Sequence, residues 1–170
     1  MKKIFAVAAV FFLLLAGCRA EEGNGDIPIV LTEKSLPHDF HEIAHKREEV
    51  PYYEYLARIA ASREESERLY HLYRLKEPMQ EVDWDRHALL FLGLYESGSC
   101  PMTITSMKYN DSELEIHTGY ADIGFGQTSC TDDATARTFV VQLDKEAVEG
   151  IRQVKVVEGD VATALPLEGS

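Results

Sequence analysis

The sequence predicts an α+β fold: a single domain built on a mainly antiparallel sheet, with one or two helices packed on it. Three observations predict it. Residues 88–95 are apolar on both faces, Ala88, Leu90, Leu92 and Leu94 against Leu89, Phe91 and Tyr95, which marks a central strand covered on both sides. Residues 102–109 and 113–120 flank Asn110-Asp111-Ser112 as the two arms of a hairpin. No repeat or composition break divides residues 27–160, so their elements share one core.

The N-terminus sets the compartment. Lys2 and Lys3 precede an apolar run from Ile4 to Leu15 that is too short to span a bilayer as a helix, the pattern of a secretory signal. Its ending, Leu15-Ala16-Gly17-Cys18, resembles the lipobox of bacterial lipoproteins. That resemblance implies cleavage before Cys18, acylation of its sulfur and a stable membrane anchor, since two acyl chains hold where one is marginal. The partner so implied is the lipid bilayer, met on the extracytoplasmic side of a bacterial cell membrane.

Removing residues 1–17 leaves 153, enough for one domain with its own core. The loss of Lys2 and Lys3 takes the formal charge from −12 to −14. Such an acidic body excludes nucleic acid and an anionic membrane face as electrostatic partners.

With Cys18 acylated, Cys100 and Cys130 remain as an even pair in an oxidising compartment and are expected to form a disulfide. The bridge would tie together two polar loops, and these are the expected binding surface: Glu96, Ser97, Gly98, Ser99 and Pro101 on one side, Gln127, Thr131, Asp132 and Asp133 on the other.

Along the chain, residues 18–26 read as a flexible tether and residues 27–170 as the domain. Residues 27–31 are a short β-like run. After Ser35-Leu36-Pro37, Phe40, Ile43 and Ala44 share one helical face, and this helix is expected to end before Pro51. Residues 52–60 read as strand or helix, their tyrosines favouring strand. Ser62 with Glu65 forms a capping box for a helix striped by Leu69, Leu72, Tyr73 and Leu75 and ending before Pro78. In the second hairpin arm Leu114, Ile116 and Tyr120 are expected inward and Glu113, Glu115 and His117 outward. The first arm changes phase between Ile104 and Met107, which predicts a bulge near Thr105 or Ser106. Phe139, Val141 and Leu143 mark another strand, residues 144–150 a single helical turn, and residues 151–157 a last strand before the tail.

The order from the Ser62 helix through Val82-Asp83-Trp84-Asp85, the strand ending Phe91-Leu92-Gly93, a glycine-containing loop and a hairpin resembles the C-terminal domain family of the protease-complex subunit PrcB. The resemblance covers residues 62–143. That family's loop reads Thr-Gly-Gly-Tyr, where this chain has Ser97-Gly98-Ser99-Cys100-Pro101. It implies a non-enzymatic domain of secreted proteins and lipoproteins that supports a partner protease.

One string points to chemistry. His41-Glu42-Ile43-Ala44-His45 matches H-E-x-x-H, which on a helix puts two imidazoles on one face for Zn²⁺ and a glutamate beside them as general base. Lys46 and Arg47 follow and would repel a dication, and a third ligand would have to come from Glu64, Glu65 or Glu67. The string therefore reads as an amphipathic helix with His41, Glu42 and His45 solvated. A thiol nucleophile served by His87 or His117 would need a reduced cysteine outside the cell. A Ca²⁺ loop of Asp122, Asp132 and Asp133 lacks the regular spacing of one. No cofactor is expected.

The sequence thus points to a membrane-anchored extracytoplasmic lipoprotein whose domain binds an unidentified extracytoplasmic protein. A small zinc hydrolase centred on His41 and His45, or a small-ligand carrier, is the alternative.

Overall fold

The computed structural model describes residues 27–121 and 129–167. Among the described residues nine strands form two sheets that share a core, and three short helices accompany them. One sheet holds β1 (Ile29–Glu33), β2 (His45–Lys46), β3 (Glu54–Ala60), β4 (His87–Ser97) and β7 (Ala134–Asp144), in the order β1-β7-β4-β3-β2 and antiparallel throughout. The other holds β5 (Met102–Asn110), β6 (Glu113–Tyr120), β8 (Gln153–Glu158) and β9 (Val161–Pro166), in the order β5-β6-β8-β9, with β6 and β8 parallel. The helices are α1 (Phe40–Ile43), α2 (Arg63–Leu72) and α3 (Lys145–Val148).

The two-faced run does occupy the centre, and β4 separates two cores. Leu90, Leu92 and Leu94 join Phe139 and Val141 against Leu114, Ile116, Val154 and Val156 of the second sheet. On the reverse face Leu89 and Phe91 meet Leu36, Phe40, Tyr73 and Val140. The four leucines of β4, Leu89, Leu90, Leu92 and Leu94, are each at most 1% exposed, worth about 1.5–3 kcal/mol of burial apiece. Gly93 is required by the second core: a Cβ there would stand 2.7 Å from Leu36 Cδ2 and 3.1 Å from Tyr73 Cε1.

Helix α2 starts at the expected cap, with the Ser62 hydroxyl accepting from Glu65 N at 3.3 Å, while the Glu65 carboxylate reaches back to Ala61 N at 2.8 Å. It ends in a Schellman turn, Leu75 N donating to Tyr70 O and Arg74 N to His71 O, with Arg74 at φ +58°. The buried Tyr73 hydroxyl donates toward Leu56 O at 3.0 Å and Phe91 O at 3.3 Å, fastening the helix to β3 and β4. The hairpin carries its bulge where the phase changes, between Ile104 and Ser106.

Three expectations are corrected, and one left open between strand and helix is decided in favour of the strand. The helix after Pro37 lasts one turn, and His45 lies in β2, paired with Tyr55. Beyond Ile43 the chain runs Ala44-His45-Lys46-Arg47-Glu48-Glu49, with no apolar stripe to hold a longer helix on the core. Residues 52–60 resolve as the strand β3 after a two-residue lead. Tyr120 is 58% exposed, the inward series of β6 stopping at Thr118. The strand near residue 151 is not the last: a turn at Gly159, φ +59°, and Asp160 returns the chain as β9, with Glu158 opposite Val161.

Candidate functional site

Antiparallel pairing brings three connections to one end of the first sheet. Ser97 at the end of β4 faces Ala134 at the start of β7, and Tyr55 near the start of β3 faces Leu94. The segments 47–53, 97–101 and 129–133 therefore meet at one pole. The chain enters at the other: Pro28 O accepts from Gln142 N, and Gln142 faces Leu89. Eight residues of β7 separate Gln142 from Ala134, roughly 27 Å at about 3.4 Å per residue.

The expected bridge is present. Cys100 and Cys130 are disulfide-bonded, their Cα atoms 5.5 Å apart across 30 residues. Cys100 is fully buried and anchors the bridge in the core, while Cys130 is exposed. Hydrogen bonds repeat the tie. The Ser97 hydroxyl donates to Thr131 O at 2.9 Å, Thr131 N to Ser99 Oγ at 2.8 Å, and Gly98 N to Asp133 Oδ1 at 3.1 Å. A Cβ on Gly98 would run into the Asp133 carboxylate. The Thr131 hydroxyl foremost, and the Gly98 amide next, hold the Asp133 carboxyl below its ordinary range.

Of the residues expected on the contact surface, Gly98, Thr131, Asp132 and Asp133 are exposed, and Ser97, Ser99 and Pro101 are partly so. Glu96 is not on it. Its carboxylate is buried, accepts from Arg137 Nε at 2.9 Å and Met102 N at 2.7 Å, and also pairs with Arg137 Nη2. Burial of a charge is tolerated because it is paired and hydrogen-bonded. Glu96 therefore holds the loop from within. Gln127 and Asp122 lie outside the described residues, as does Cys18.

The H-E-x-x-H geometry is absent, because His41 is in α1 and His45 in β2. His41 Nδ1 instead donates to Glu54 Oε2 at 2.5 Å, and its ring stacks on Tyr95 with centroids 5.5 Å apart. Among the described residues no three metal-ligating side chains converge. Both cysteines of the thiol reading are spent in the disulfide, and His117 Nε2 pairs with Glu115 at 2.7 Å.

Beside the tied loops lies an aromatic cleft of about 240 Å³ that the sequence reading missed. It is lined by His41, Tyr52, Tyr53, Glu54, Tyr55, Tyr95, Ala134 and Glu158, and the rings of His41 and Tyr95 stack. The Tyr55 hydroxyl donates to Glu158 Oε2 at 2.9 Å, joining β3 to β8 across the two sheets. Burial first, and the Glu158 carboxylate second, raise the pKa of both Tyr53 and Tyr55. Tyr52 is 73% exposed at the rim, in line with Val50 before it. The sequence signal was Tyr52-Tyr53-Glu54-Tyr55, an aromatic run entering a strand, of which Tyr55 is buried in the core and Tyr52 is left exposed.

Among the described residues no helix is long and apolar enough to cross a membrane. No family model matches this chain, and neither a curated protein nor a solved structure matches it.

Proposed function

We propose that this chain is a lipid-anchored extracytoplasmic protein whose domain acts as a non-enzymatic interaction module. The observation that carries the reading is polarity: the chain enters the domain at one end of the first sheet, and the disulfide-tied loops sit at the other. An acylated Cys18 would hold the entry end at the bilayer and turn residues 97–101 and 129–133 toward whatever lies beyond it. A surface fastened by a covalent bridge and by backbone-directed hydrogen bonds loses little conformational freedom on binding, which is what a recognition surface needs. The likeness to the PrcB C-terminal domain family supports a partner that is itself a protein, and a protease is the class it suggests.

Two measurements test this. Cys18→Ala should move the protein from the membrane fraction to the soluble extracytoplasmic fraction; retention at the membrane would remove the anchor from the reading. A photo-crosslinking residue at Asp132, exposed at the loop pole, should give a discrete adduct in intact cells, while one at Glu149, exposed at the entry pole, should not. Adducts at Glu149 alone would overturn the orientation.

A further inference from the structure

We propose that the tyrosine cleft is a binding site for an alkylammonium group. Four tyrosine rings and one imidazole line a space of about 240 Å³, which fits a small cationic head and little more. Aromatic faces attract such a head through their quadrupoles, and a neutral apolar group of the same shape receives only the packing.

The two carboxylates differ in a way that locates the charge. Glu54 is already engaged, by His41 at 2.5 Å and by Lys46 Nζ at 3.7 Å. Glu158 accepts from the Tyr55 hydroxyl, and among the described residues no cation stands within ion-pair distance of it. Tyrosine hydroxyls satisfy the carboxylate's lone pairs without neutralising it. Burial first, and the Glu158 carboxylate next, raise the pKa of Tyr53 and Tyr55, and the Arg47 charge offsets this only in part. Arg47, whose charge reaches Tyr53 and Tyr55, is turned to its own loop, donating to Pro51 O at 3.1 Å and to the Glu49 carboxylate at 3.1 Å. An ammonium seated in the cleft would meet the Glu158 carboxylate and the aromatic side chains around it. The net charge of −12 adds a long-range pull on any cation. The inference depends on neither the lipid anchor nor a protein partner.

The group can reach the cleft on a free amine or on a lysine side chain. The test uses the full chain in a nonionic detergent, titrated with choline, with Nα-acetyl-lysine methylamide, and with 3,3-dimethylbutanol, the neutral isostere of choline. Binding is read from amide shifts of Tyr52, Tyr53 and Ala134. Both cations should bind at this cleft, the neutral alcohol about tenfold more weakly or less. Glu158→Gln, and independently Tyr52→Ala at an exposed position that folding does not need, should each weaken both cations severalfold. Tighter binding of choline assigns the site to free amines, tighter binding of the lysine amide to a protein chain, and either supports the proposal. Equal affinity for the alcohol, or no shift at these residues with either cation at saturation, overturns it.

Discussion

Replacing Arg137 with methionine should unfold the protein more readily than any surface change at the loop pole. The Glu96 side chain is 1% exposed and that of Arg137 11%, so water cannot take over the role of a missing partner. In the native protein the carboxylate receives both guanidinium nitrogens and the Met102 amide. Arg137→Met leaves a buried anion with one amide donor, and breaking a buried pair in this way costs about 3–5 kcal/mol. For a domain of this length that corresponds to a Tm lower by roughly 6–20 °C. Adding Glu96→Gln removes the stranded charge while keeping an acceptor for Met102 N, so the double variant should recover about 1–3 kcal/mol relative to Arg137→Met alone. Urea denaturation of the four proteins of this cycle at pH 7, followed by far-UV circular dichroism, measures the coupling. If Arg137→Met costs less than about 1 kcal/mol and Glu96→Gln brings no recovery, the pair is not what fastens the loops from inside.

Three other outcomes follow from the same structure. Cys100→Ala with Cys130→Ala opens a 30-residue loop, a loss of about 3.6 kcal/mol in the chain-entropy account, and calorimetry with and without reductant should show a matching drop; an unchanged Tm would sink the claim that the bridge stabilises the fold. Arg74→Gly should stabilise by about 1 kcal/mol, because Arg74 holds φ +58° at an exposed helix end where glycine is unstrained. Glu115 is held down to about 2 by the Lys155 ammonium at 2.8 Å and then by His117, so the stability it adds is present above the ordinary carboxylate range and fades as pH falls toward 2. Glu115→Gln should therefore flatten the acid limb of the stability profile between about pH 4.5 and 2, as read by urea midpoints across pH.

What was legible in the sequence was what burial dictates locally. The apolar run of β4, the cap at Ser62, the phase change at Thr105 and the pairing of the two cysteines each follow from one segment's own chemistry. Errors arose where a neighbour decided. His41 and His45 share a helical spacing, yet β3 offered backbone partners to His45 and Lys46, and the charged stretch after Ile43 had no core face to oppose that offer. Tyr120 keeps the alternation of β6 but lies beyond Thr118, the last residue of that series the core covers. The β9 hairpin did carry its signal in Gly159-Asp160 with Val161, Thr163 and Leu165 alternating after it, and an assumed tail hid it. The aromatic cleft needs Tyr95 and Glu158 to arrive from strands far apart in the chain, and no single segment announces that meeting.

The parallel step from β6 to β8 bears on how the chain is made. Because β8 is wedged between β6 and β9, the inner residues Val154, Val156 and Leu165, which cover part of the leucine face of β4, are supplied by a stretch synthesised after both β4 and β6. A nascent polypeptide lacking that stretch presents bare leucines and an unpaired strand edge, the combination that makes incomplete chains associate with one another. A premature stop or a proteolytic nick ahead of residue 153 would thus yield an aggregating fragment, and quality-control proteases should clear it more readily than a chain clipped beyond Leu167.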